Sequence, residues 1–189
     1  MKLVVGLGNP GAEYEGTRHN IGAEVIELLA GRAGCGLKRK WRLQAWACQA
    51  VVGGETVTLA RPRTFMNVSG ATVASLVHWL RCAPGDLIVV SDDIALDLGR
   101  IRIRPGGGAG GHKGIESVIA CLGTEEFTRV RVGVGAPAGD QVRHVLGRFS
   151  GRERSTVEEA RERAALAVEE ILSRGVGAAM NRFNGTAAD

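Results

Sequence analysis

The chain has 189 residues, 44% of them hydrophobic and 23% charged, with a net charge of +4. That is ordinary for a soluble globular protein of one domain, and no apolar run approaches the roughly 20 residues of a membrane span. The basic balance permits a polyanionic partner, whereas aromatics at 4% argue against the broad base stacking of a single-strand binder.

In chain order, Lys2–Leu7 predicts a buried strand whose apolar stretch is too short for a signal peptide, so a cytoplasmic protein is expected. Thr17 is placed to cap a helix from about Arg18 to Ala33, with Ile21, Val25, Leu28 and Leu29 on one face. Ala45–Val52 and Thr56–Ala60 read as a strand pair turned at Gly53-Gly54. A helix over Ser69–Arg81 and a short strand over Leu87–Val90 follow. Arg100–Arg104 alternates strictly and predicts a strand with three arginines on one face. The glycine-rich loop Gly106–Gly111 precedes a helix over Ile115–Leu122 and a strand over Val130–Val134. Ser155–Ser173 is the strongest amphipathic helix, and the tail 184–189 is expected to fray. This alternation predicts an α/β fold: a single-domain three-layer sandwich, with a mixed, mostly parallel twisted sheet and helices on both faces. The four cysteines (Cys35, Cys48, Cys82, Cys121) show no CxxC spacing and are expected as reduced thiols.

Five segments could carry chemistry. Gly6-Leu7-Gly8-Asn9-Pro10-Gly11 follows a strand and spells the dinucleotide fingerprint literally. Pro10 precedes its third glycine, the helix is postponed to about Thr17, and no acidic residue ends a second strand about 20 residues on. A tight turn, or a turn presenting Asn9 at a strand's carboxyl end, fits better. His19 lies near a helix start, where the macrodipole disfavours its charged form and suits a neutral base; alone it could equally be surface or core decoration. Phe65, Met66 and Asn67 sit between a strand and a helix; the amide could hold a water or carbonyl, and the ring could stack or belong to the core. Asp92, in Ser91-Asp92-Asp93, could orient an imidazole. Paired acids also suit magnesium, but no Walker loop accompanies them. The arginine row of 100–104 is a candidate phosphate track or an ordinary solvated face. No serine has GxSxG surroundings and no cysteine has a nucleophile motif, so in a hydrolase His19 activating water directly is the simplest scheme.

Taken together, GLGNPGAEYEGTRHNIG (6–22), RPRTFMNVSG (61–70), LIVVSDD (87–93), GGGAGGHKG (106–114), FTRVRVGVG (127–135) and HVLGRF (144–149) closely resemble the bacterial, histidine-dependent peptidyl-tRNA hydrolase family through almost the whole chain. The resemblance implies a single α/β domain, monomeric, using neither metal nor cofactor, with no membrane and no obligate protein partner. Its substrate would be peptidyl-tRNA, bound through the acceptor stem and 3′ end. By the same resemblance His19 is the general base and Asp92 its support. Asn9 reads the peptide, and Asn67, with Met66 beside it, holds the substrate near the reacting carbonyl. Tyr14 and Phe65 contact the tRNA end, and Arg104 and Arg131 bind tRNA phosphates. Lys113 stands where the family commonly has Asn, so it is expected as a donor to a phosphate or oxyanion and not as an acceptor. The alternative is a non-enzymatic RNA-binding relative on the same fold, of the kind plant organelles use in intron splicing.

Overall fold

The computed structural model describes residues 1–185. Seven strands form one mixed sheet: β1 (Lys2–Gly6), β2 (Lys38–Lys40), β3 (Ala45–Val52), β4 (Glu55–Pro62), β5 (Leu87–Asp93), β6 (Ile101–Arg104) and β7 (Thr128–Gly133). Their order is β2-β3-β4-β1-β5-β7-β6. The central strands β4, β1, β5 and β7 run parallel, while β3 is antiparallel to both β2 and β4, and β6 is antiparallel to β7.

A parallel centre must be covered on both faces, and β1 shows why. Val4 points into a core shared with α1 (Ile21–Arg32), α5 (Arg154–Arg174) and α6 (Val176–Phe183). Leu3 and Val5 point the other way, into a core with α2 (Ser69–Leu80) and α3 (Lys113–Leu122). The three-layer α/β sandwich predicted from the alternation is the one observed. Among the described residues, no helix is long and apolar enough to cross a membrane.

Local differences from the sequence reading have physical causes. The Thr17 hydroxyl does not cap a helix; it donates 2.7 Å backwards to the Tyr14 carbonyl. Arg18–Asn20 is a 3-10 turn, and α1 starts only at Ile21. Cys35 and Cys48 are joined, not free: the chain leaving α1 folds against β3 and brings their Cα atoms to 6.4 Å. Cys82 and Cys121 are free thiols. β2, α6 and the short helix α4 (Gln141–Val145) carry too little periodicity over three to eight residues to show in the sequence. Asn184, expected to open a frayed tail, instead pairs its amide with both backbone groups of Ile103 (2.7 and 3.0 Å) and docks on β6. Positions 186–189 of that tail lie outside the described residues.

Two glycines set the approach of α1 to the sheet. A Cβ on Gly6 would strike the Gly22 carbonyl, and one on Gly22 would strike the Val90 carbonyl. Without those side chains the first turn of α1 rests directly on β1 and β5, and Ala23 N–H donates to the Leu7 carbonyl at 3.0 Å. That contact brings the turn carrying His19 over the end of β5.

Candidate active site

Asp92 lies at the carboxyl end of β5 and is buried. His19 Nδ1 stands 2.8 and 2.9 Å from its two oxygens, and His112 Nε2 stands 2.9 Å from Oδ1. Burial pushes the Asp92 carboxyl up. The facing His112 imidazole and the hydrogen bonds from both rings outweigh that, and hold it well below the usual carboxylate range. In the sequence His112 is only one residue of GGGAGGHKG (106–114), and the fold gives it its place. It caps α3: its Nδ1 accepts the N–H groups of Gly114 and Ile115 at 3.1 and 3.2 Å. With Nδ1 accepting, the ring proton sits on Nε2 and is donated to Asp92. Burial disfavours charge on His112 and the Asp92 carboxylate favours it, with a net upward pull. The α3 cap resists that pull, since a second proton would have to sit on Nδ1.

Those hydrogen bonds also decide whether the cluster could hold a cation. His19, Asp92 and His112 offer three ligand atoms within 4.8 Å of one another. A metal needs a lone pair from each imidazole. His112 Nε2 has none to give while Nδ1 caps the helix, so this donor set does not fit one.

His19 is held from behind. Arg18 makes two bonds to the Glu153 carboxylate (2.8 and 3.0 Å), donates to the Arg148 carbonyl at 2.6 Å, and lies 4.7 Å over the Phe149 ring. When Nδ1 donates to Asp92, Nε2 keeps the lone pair, and His19 lines a cleft of about 740 Å³.

Asn9 lines the same cleft through a relay of amides. Asn20 clamps its backbone on both sides, at 2.8 and 2.9 Å, instead of capping α1. Asn9 Oδ1 then accepts from Met66 N–H at 2.8 Å. Its Nδ2 is left without a partner among the described residues. Met66 is buried against Gly114, where any Cβ would strike its sulfur. Asn67, next in the chain, is exposed and lines the cleft. Lys113 lines it too and pairs with Glu116 at 2.9 Å.

Arg104 and Arg131 form part of the far wall. Register places Arg102 opposite Arg131 and Arg104 opposite Arg129, so four arginines share one face of β6 and β7. Arg100, expected in that row, precedes the strand. Arg131 is paired with Asp93. Arg129 is buried, and its guanidinium holds the glycine loop by the carbonyls of Gly107 and Gly108, the latter at 2.7 Å. Its alternation with Arg131 was visible in the sequence; its burial was not. Tyr14 and Phe65 do not line the cleft. They pack edge to face with centroids 6.2 Å apart, and Phe65 is 53% exposed.

A peptidyl-tRNA hydrolase family model matches residues 3–189. The chain belongs to the peptidyl-tRNA hydrolase family. A peptidyl-tRNA hydrolase of Caldanaerobacter subterraneus subsp. tengcongensis is 47% identical over 186 residues, which is 98% of this chain and all of that one. One from Clostridium botulinum (strain Eklund 17B) is 44% identical over 189 residues, covering 100% and 98%. A crystal structure of peptidyl-tRNA hydrolase from Acinetobacter baumannii superposes with a TM-score of 0.91 at 34% identity, covering 98% and 95%. Membership in a peptidyl-tRNA hydrolase family makes the chain an ester hydrolase. The dinucleotide reading of Gly6–Gly11 fails on its own geometry as well: Gly11 (φ 113°) opens a three-residue 3-10 turn, not a phosphate-binding helix.

Proposed function

We propose that His19 is the general base in hydrolysis of the ester joining a peptide to the 3′-terminal ribose of tRNA. The carrying observation is the 2.8 Å contact of His19 Nδ1 with Asp92, which leaves Nε2 as the free base of a residue lining the cleft. His19 Nε2 takes a proton from water as its oxygen attacks the ester carbonyl. Asp92 stabilises the imidazolium that forms. Asn67 and nearby backbone N–H groups stabilise the oxyanion. When the carbonyl re-forms, the ribose oxygen leaves and takes the proton from Nε2.

Asn9 suits a reader of the peptide. Its Oδ1 is occupied by Met66, so it offers a donor, Nδ2, to a peptide carbonyl. In this reading Tyr14 and Phe65 meet the tRNA end, while Lys113, Arg104 and Arg131 hold phosphates. Such binding is weak in base sequence and strongly dependent on salt. The protein acts as a cytoplasmic monomer, recycling tRNA from prematurely released peptidyl-tRNA.

Hydrolysis of N-acetyl-aminoacyl-tRNA by the purified protein tests the activity. His19→Ala should lower turnover by on the order of 10²–10⁴-fold. Wild-type turnover in that variant would overturn His19 as the base and leave the activity standing.

A further inference from the structure

The sheet edge opposite Arg104 carries a second basic cluster. Lys38, Arg39 and Lys40 form β2, Trp41 and Arg42 follow in a 3-10 turn, and Arg63 lies just past β4. Among the described residues none of these five cations pairs with an acid, while the neighbouring Arg61 is taken by Glu27. Trp41 is 67% exposed, too open for a core residue. The Arg39 guanidinium lies 3.0 Å above its ring centroid, and that of Arg63 lies 5.3 Å away. Arg63 N–H also donates 2.7 Å to the carbonyl of Gln44, a left-handed residue that closes the turn. The fold therefore holds two like charges around one exposed indole. Cation–π attraction offsets part of their repulsion, and an anion would relieve the rest.

This cluster faces the same end of the sheet as the active site. β2 and β4 are both antiparallel to β3, so they share a direction, and Lys40, Ala45 and Pro62 stand in register. The carboxyl end of β2 thus lies beside those of β4, β1 and β5. Four strand spacings separate β2 from β5, about 19 Å at ~4.8 Å each. Arg63 leads into the cleft, since the lining residues Met66 and Asn67 follow it three and four positions later.

We propose that Arg39, Trp41 and Arg63 form a second RNA-binding surface. It holds the sugar-phosphate backbone of the tRNA substrate on the β2 flank, across the cleft from Arg104 and Arg131. The two guanidiniums neutralise phosphates, and the exposed indole stacks on a base or ribose. The stacked guanidinium–indole pair, placed on the same end of the sheet as the active site, matches a nucleotide in both charge and stacking. The proposal rests on tRNA being the substrate.

The test measures binding of deacylated tRNA, which needs no chemistry, alongside cleavage of N-acetyl-aminoacyl-adenosine, a single nucleoside ester too short to reach Arg63 or β2. Arg39→Gln with Arg63→Gln should raise the tRNA Kd on the order of tenfold at moderate salt, and reduce the slope of log K against log salt by about 2. Trp41→Ala should raise Kd by about fivefold or more with the slope unchanged. Cleavage of the nucleoside ester should stay within about twofold of wild type, which also shows that the variants fold. Unchanged tRNA affinity in these variants overturns the proposal, as does a parallel loss on the short substrate. If the wild type binds tRNA through this patch yet cleaves no ester, the catalytic reading fails and the surface stands.

Discussion

Asp92 Oδ1 lies 2.9 Å from His112 Nε2, so one buried carboxylate serves two imidazoles, only one of which has its other nitrogen free. His112 thus has two separable duties, supporting Asp92 through Nε2 and capping α3 through Nδ1. His112→Asn keeps an acceptor near Nδ1 and removes the donor to Asp92. It should cost turnover about tenfold or more, and about 1–3 kcal/mol of stability because the buried carboxylate loses its donor. His112→Gln places a donor near Nε2 and loses the cap, so it should lose about 1 kcal/mol of stability and keep most turnover. Chemical unfolding and steady-state kinetics on the two variants check this. Equal losses of both properties in both variants would refute the division.

Asp92 also predicts a pH dependence of stability. Its carboxyl is depressed in the folded state below the ordinary value of 3.8. The unfolded chain therefore binds that proton more readily. The stabilisation is complete above the ordinary value and is lost as pH falls toward the folded one. Asp92→Asn should be less stable than wild type near pH 7, and the gap should narrow below about pH 4. Urea unfolding at several pH values measures it, and a gap that stays constant contradicts the assignment.

Arg129 ties the glycine loop by two carbonyls at once, one on each terminal nitrogen of its rigid planar fork, a geometry that the compact ammonium of lysine does not reproduce. Arg129→Lys should cost about 1.5–3 kcal/mol, the scale for a lost hydrogen bond from a charged donor. Limited proteolysis within Gly106–Gly111 should speed up, and KM for peptidyl-tRNA should rise more than kcat falls. A loop that resists protease as well as the wild type would dismiss Arg129 as its tether.

Lys113 is 70% exposed at its side chain, and its ion pair with Glu116 is a surface pair. Such pairs contribute little, so Lys113→Asn should shift stability by less than about 0.5 kcal/mol. If Lys113 donates to a phosphate, as proposed above, its effect should show in KM. The variant should bind peptidyl-tRNA several-fold more weakly at low salt, with the difference shrinking at high salt. A loss of kcat at saturating substrate would instead give the lysine a part in the chemistry.

Much of the fold was legible because it is local. The unbroken apolar run of β1 signals a strand buried on both faces, and the 3.6-residue spacing from Val157 to Leu172 signals α5. The motifs around Asn9, His19, Asn67 and Asp92 pointed to one site, and the fold brings all four to one cleft. Tyr14 and Phe65, which the resemblance placed at the tRNA end, lie beside that cleft, paired with each other.

The sequence by itself determined the α/β alternation, the family, and the residue types at the strand ends. Only the tertiary structure decided which groups meet. It turned the Thr17 hydroxyl back to Tyr14, joined Cys35 to Cys48, spent the Asn20 amide on Asn9, and set His112 as the second partner of Asp92. Periodicity and propensity act over a few residues along the chain. A hydrogen bond between positions 92 and 112 depends on where two strands and a helix end in space, and the packing of Gly6 against Gly22 and of Gly114 against Met66 settles that.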